Sequence, residues 1–105
     1  YSQSGKELVD LGSTEGGGGA VTTYSQSGNL LVTMGSTVGE VGAVTTFAPS
    51  GTKVVELISE TDNGGLVEVY NKTGESIVTL KSDDYGNGEV GAWNRKGIGR
   101  TYTSQ

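Results

Sequence analysis

Apolar and polar positions recur in lines along this chain. Val9, Val32, Val55 and Val78 form one line, Leu11, Met34, Leu57 and Leu80 a second, and Leu8, Leu31, Val54 and Ile77 a third. Val32 and Met34 alternate with Leu31 and Thr33, and alternating side chains point to opposite faces of a strand. Strands are therefore predicted at 30–34 and at its equivalents 7–11, 53–57 and 76–80. A second kind of strand is predicted where Gly19-Ala20-Val21-Thr22-Thr23-Tyr24 runs small, β-branched and aromatic. The column Asp10, Thr33, Glu56, Thr79 is polar and reads as facing water. No 3.6-residue periodicity is present, so no helix is predicted.

These lines are the trace of a 23-residue unit. Copies run over 1–23, 24–46, 47–69 and 70–92 without insertion or deletion, and 93–105 is a partial fifth; the first two copies match at 16 of 23 positions. Each copy opens on an aromatic residue (Tyr1, Tyr24, Phe47, Tyr70, Trp93), with a glycine four positions later (Gly5, Gly28, Gly51, Gly74, Gly97). Between them lie segments such as Ser25-Gln26-Ser27 and Ala48-Pro49-Ser50, the form of a type I turn closed by a glycine of positive φ. The single proline, Pro49, falls in this turn and in no strand, which supports the register. The other connector, 12–18, 35–41, 58–64 and 81–87, is glycine-rich and reads as a looser corner.

A fixed period in this range means a repeat architecture, here one all-β domain over residues 1–105. A propeller blade needs about 40 residues and four strands, which these units do not supply. Two architectures remain: a trimeric β-prism or triple β-helix in which three chains share a core, and a single-chain β-solenoid. The thin supply of large aliphatics favours the shared core. Nineteen of the 105 residues are glycine, and a lone chain of this size buries only about two thirds of its surface even with ordinary composition.

The formal net charge of −5 argues against a nucleic-acid partner. Without histidine or cysteine, Ser-His-Asp triads, Cys-His pairs, imidazole metal sites and disulfides are excluded. No apolar run approaches the length of a membrane-spanning helix. The chain opens at Tyr1 in phase with the repeat, which reads as a processed product or an excised segment.

Few residues invite chemistry. Asp83, Asp84, Asn87 and Glu89 form the densest acidic corner and are the one weak Ca2+ candidate, set against a solvated turn. The acid pairs Glu60 and Asp62, or Asp83 and Glu89, carry no mark of hydrolytic chemistry, so no enzyme and no cofactor are expected. The aromatic column offers either packing beside the hairpin turns or a ladder for stacking sugars, with Trp93 expected to be its exposed member. Asn71-Lys72-Thr73 is a formal glycosylation sequon on a turn.

The run Val67-Glu68-Val69-Tyr70-Asn71-Lys72-Thr73-Gly74, with Tyr85-Gly86-Asn87-Gly88 and Asn94-Arg95-Lys96-Gly97-Ile98-Gly99-Arg100-Thr101, resembles the glycine-rich β-repeats of uncharacterised bacterial proteins. The architecture is similar to trimeric phage tail-needle and fibre shafts. The resemblance implies an elongated structural module, trimeric and extracellular or on a cell or virion surface, without catalytic residues. The expected role is a stalk, fibre shaft or filament subunit; a glycan- or receptor-binding module is the alternative. The basic tail, Arg95, Lys96 and Arg100, is expected to meet Glu7, Asp10 or Glu15 of a following molecule end to end.

Overall fold

In the computed structural model, which describes residues 1–60 and 64–104, the chain is all-β. Nine strands follow one another: β1 (Val9–Ser13), β2 (Gly19–Tyr24), β3 (Leu30–Ser36), β4 (Gly42–Phe47), β5 (Lys53–Ser59), β6 (Gly65–Tyr70), β7 (Ser76–Ser82), β8 (Gly88–Trp93) and β9 (Gly99–Thr103). They form one antiparallel sheet in the order β1 to β9, each strand paired with its neighbours in sequence. The sheet is an open meander, not closed into a barrel, and measures 53 × 29 × 17 Å.

Among the described residues, connectors of both kinds are tight turns of one type. In the turn at 25–29 the Ser25 amide donates to the Asn29 carbonyl at 2.8 Å and the Gly28 amide to the Ser25 carbonyl at 2.9 Å. The turn at 14–18 repeats this, with Thr14 donating to the Gly18 carbonyl and Gly17 to the Thr14 carbonyl. Its fourth position likewise has positive φ, at Gly17 (88°), Glu40 (61°) and Gly86 (86°). The supposed looser corner is thus a five-residue hairpin turn. Its first two residues belong to the preceding strand, where Gly12 pairs with Ala20 and Ser13 with Gly19. Glycine, alanine and serine have little strand propensity of their own; ladder hydrogen bonds hold them there.

A side-chain acceptor opens most turns. Ser2, Ser25 and Thr14 hydroxyls accept the amide four residues on, at 3.1, 3.0 and 3.2 Å. Carboxyl or amide oxygens of Asp83, Asn71 and Asn94 do the same at 2.8, 3.0 and 3.1 Å. Such local bonds are why Ser, Asn and Asp favour turns. Ala48 has no such group; its turn is closed by backbone bonds, with the Ser50 hydroxyl donating to Thr52 Oγ1 at 3.1 Å.

Among the described residues no hydrophobic side chain is buried. The accessible surface is 7206 Å², where a compact monomer of this mass exposes about 5,500 Å². A single-layer sheet accounts for the difference, because no second layer covers either face.

Candidate functional site

The pairing register sets the side chains in rows across the sheet. Leu11, Val21, Met34, Val44, Leu57, Val67, Leu80, Val90 and Tyr102 stand directly opposite one another from β1 to β9. Two residues away on the same face runs Val9, Thr23, Val32, Thr46, Val55, Val69, Val78, Ala92, Arg100. On the other side of the first row runs a line of small residues, Ser13, Gly19, Ser36, Gly42, Ser59, Gly65, Ser82, Gly88. In these three rows Arg100 is the one charged residue. This aliphatic face holds all eight residues expected as core: Val9, Leu11, Val32, Met34, Val55, Leu57, Val78 and Leu80. They line up side by side rather than around an interior, and Leu11 remains 76% exposed. Met34, Val44, Leu57 and Val67 border a shallow apolar trough floored by Gly42, Ser59 and Gly65.

The opposite face is aromatic and acidic. Its central row is Asp10, Thr22, Thr33, Thr45, Glu56, Glu68, Thr79, Gly91, Thr101. The column containing Thr33 and Glu56 is expected to be wet, but among the described residues its middle is well covered. Thr45 is 5% exposed and the Glu56 side chain 13%. Tyr24, Phe47, Tyr70 and Trp93 stand two positions beyond this row on the same face, and Tyr70 and Trp93 lean over it. Trp93 lies across Gly91, where an added Cβ would strike the ring. Trp93 is half-buried, and Tyr1, at 85%, is the exposed member of the aromatic column; outside the column Tyr85 and Tyr102 are exposed too.

Glu56 and Glu68 are directly opposed across β5 and β6, an arrangement that repels. Their neighbours offset it. Lys53 Nζ lies 3.3 Å from Glu56 Oε2, and the Thr45 hydroxyl donates to the same oxygen at 3.2 Å. The Ser76 hydroxyl donates to Glu68 at 2.8 Å and the Tyr70 hydroxyl to Glu56 at 3.5 Å. Burial, then the charges of Glu68 and Glu56, push the Tyr70 phenol up to about 12. Sequence reading missed this cluster, because Glu68 replaces the threonines of earlier copies and only the hairpin register places it against Glu56.

The remaining residues singled out by sequence are dispersed. Gly5, Gly28, Gly51, Gly74 and Gly97 occupy their turns with φ of 83°, 94°, 90°, 90° and 83°. Asp83 is used within its own turn: its carboxylate accepts the amides of Asn87 and Tyr85, with the Asn87 bond the main cause holding it below the usual range. Glu89 turns to Lys81 at 3.9 Å and to the Thr103 hydroxyl at 3.4 Å. Asp83 and Glu89 therefore serve separate partners, and Asp84 is exposed. Among the described residues no three acidic side chains gather as metal ligands. Asp62 lies outside the described residues. The Asn71 side chain of the sequon is engaged with the Thr73 and Glu75 amides. Arg95 and Lys96 sit in the turn at 94–98, Arg100 on β9, and Glu15 in the turn at 14–18 on the opposite long side of the sheet.

Among the described residues no helix is long and apolar enough to cross a membrane, which bears on helices alone. In comparison with known proteins, no family model matches this chain and no curated relative does.

Proposed function

We propose that this chain is a structural module of an extracellular or surface fibre, filament or stalk, and that copies of it share a core built from their aliphatic faces. The observation that carries the reading is the open face itself: one continuous apolar row from Leu11 to Tyr102, a second row of valines interleaved with Thr23 and Thr46 and ending on Arg100, and no second layer. Exposed contiguous apolar surface of this extent marks an interaction site. The surplus of roughly 1,700 Å² over a compact monomer is close to what two contacts of about 800 Å² per partner remove. A chain touching two neighbours fits a homotrimeric prism, and the resemblance to trimeric shafts agrees. No catalytic role is assigned.

The test is mass in solution by sedimentation across concentration, with Val32→Asp as the disruptive variant. Trimers are expected for the native chain and monomers for the variant, since three carboxylates would converge in an apolar interior. A native chain that stays monomeric, or Val32→Asp trimers, overturns the reading. The alternative, a glycan-binding module, rests on the half-covered rings of Tyr24, Phe47, Tyr70 and Trp93 on the outer face, and a reproducible hit on a glycan array would favour it.

A further inference from the structure

The meander sorts the turns of the chain onto two long rims. Turns at 2–6, 25–29, 48–52, 71–75 and 94–98 lie along one rim, and those at 14–18, 37–41 and 83–87, together with Glu60 and Gly64, along the other. The first rim carries Lys6, Lys72, Arg95 and Lys96 against Glu75 alone, a net of +3. Among the described residues the second carries Glu15, Glu40, Glu60, Asp83 and Asp84 with no lysine or arginine, a net of −5. Successive turns on a rim are about 10 Å apart, two strand spacings, which is near the screening length at physiological salt. Like charges along each rim therefore repel, and nothing on the same rim of the chain neutralises the acidic one.

We infer that neighbouring copies join rim to rim, the basic rim of one against the acidic rim of the next, and that three such joints close the ring. This rests on the shared-core reading and adds which surfaces meet and in what order. Unlike rims make a heterologous contact, which closes when the rotation permits. The strands of six to seven residues that fill the sheet between β2 and β8 make walls of about 20–24 Å. Three such walls enclose a triangle whose centre lies about 6–7 Å from each wall, close to half the roughly 10 Å at which sheets pack face to face. Four walls would leave an open channel.

Side-chain size across the aliphatic face follows the same triangle. The Ser and Gly row borders the acidic rim, where walls converge, and the Leu, Met and Val row stands inside it, where depth is greater. A flat two-layer sandwich has uniform depth and would leave a void over the glycines. The two rims are also staggered by one strand spacing, about 4.8 Å, so under three-fold rotation each basic turn between two strand pairs falls between two acidic turns. The partner is thus two further copies of this chain, docked along their rims.

Rim reversals test this without touching the aliphatic face. A first set, Lys6→Glu, Lys72→Glu, Arg95→Glu and Lys96→Glu, makes both rims acidic. A second, Glu15→Lys, Glu40→Lys, Glu60→Lys and Asp84→Lys, makes the acidic rim basic; all of these positions are exposed except Glu60, which is half-buried. The third chain combines both. By sedimentation at low ionic strength, each single set should raise the apparent dissociation constant about tenfold or more, and the combined set should return it to within about threefold. The second set brings the net charge from −5 to +3, so overall repulsion alone predicts tighter assembly, whereas rim pairing predicts weaker. At about 0.5 M salt the differences should fade. Single sets that assemble like the native chain, a combined set that does not recover, or a native particle of two chains overturns the rim pairing. A native chain that never assembles overturns the shared core as well.

Discussion

Leu57→Ala separates the aliphatic face as an assembly surface from the aliphatic face as part of the sheet. Leu57 sits at the centre of the row on β5, opposite Val44 and Val67, and is 46% exposed in the single chain. Truncation to alanine removes three carbons, worth about 2.4 kcal/mol when fully transferred from water. The folded chain already covers just over half of the residue, so roughly 1.3 kcal/mol falls on the stability of the sheet and about 1 kcal/mol remains to be gained on assembly. In a trimer that share counts three times, about 3 kcal/mol, which is a loss of roughly two hundredfold in the trimer association constant.

The control is Val54→Ala. Val54 is 36% exposed, near to Leu57, but belongs to the column whose alternation places it toward the opposite face. It should lower the melting temperature without changing the mass distribution. Sedimentation equilibrium at several concentrations reads the association constant, and thermal unfolding at low concentration reads the sheet. Two results would refute the reasoning: Leu57→Ala trimers as tight as the native ones, or Val54→Ala weakening assembly to the same degree.

Three further outcomes follow from the local chemistry. Gly91→Thr, which installs the residue the other copies favour there, should destabilise the fold by about 1–3 kcal/mol through overpacking against Trp93; Trp93→Tyr should restore most of it, and a thermal double-mutant cycle checks the coupling. Ala48→Asn supplies the acceptor missing from that turn and should stabilise by about 0.5–1 kcal/mol, read from the denaturation midpoint. The Tyr70 phenol, held at about 12 in the fold against an ordinary 10.0, is stabilised in its protonated form. Its contribution is therefore complete below pH 10 and is lost as pH rises through 12. Glu68→Gln should bring the tyrosinate absorbance transition back toward 10, and an unchanged transition would contradict the assigned cause.

The parts of the fold legible in the sequence are those where a local rule repeats. Alternation at Val32, Thr33 and Met34 gives the two faces, and Pro49 and Gly51 give one turn. The second turn was not legible, because Glu40 holds a positive φ where glycine serves in two other copies, and because Gly12 and Gly35 lack the propensity of a strand that the ladder nonetheless imposes. The polarity of the Glu56 column was misread for a related reason. A column taken alone shows charge, but coverage depends on Tyr70 from a neighbouring strand leaning over it, and that depends on register. The open aliphatic face could not be seen as open from the sequence, since apolar periodicity is the same whether the second layer comes from the same chain or another.

The charge division between rims shows what the period itself contributes. Each 23-residue unit spans one hairpin and the turn to the next, so it has one turn of each kind, and the meander delivers every copy of a given turn to the same rim. A small bias between two turns within one unit is therefore multiplied by the number of units rather than averaged away. The same holds for the faces: an even number of strands per unit keeps each column on one side, so the column Leu11, Met34, Leu57, Leu80 joins Val21, Val44, Val67 and Val90 in one continuous apolar row. Neither the row nor the rim has appreciable strength in a single unit, where a pair of exposed charges is worth about 0.2–1 kcal/mol. Lengthening the array should increase both together, and an added internal repeat is expected to tighten assembly while leaving the stoichiometry at three.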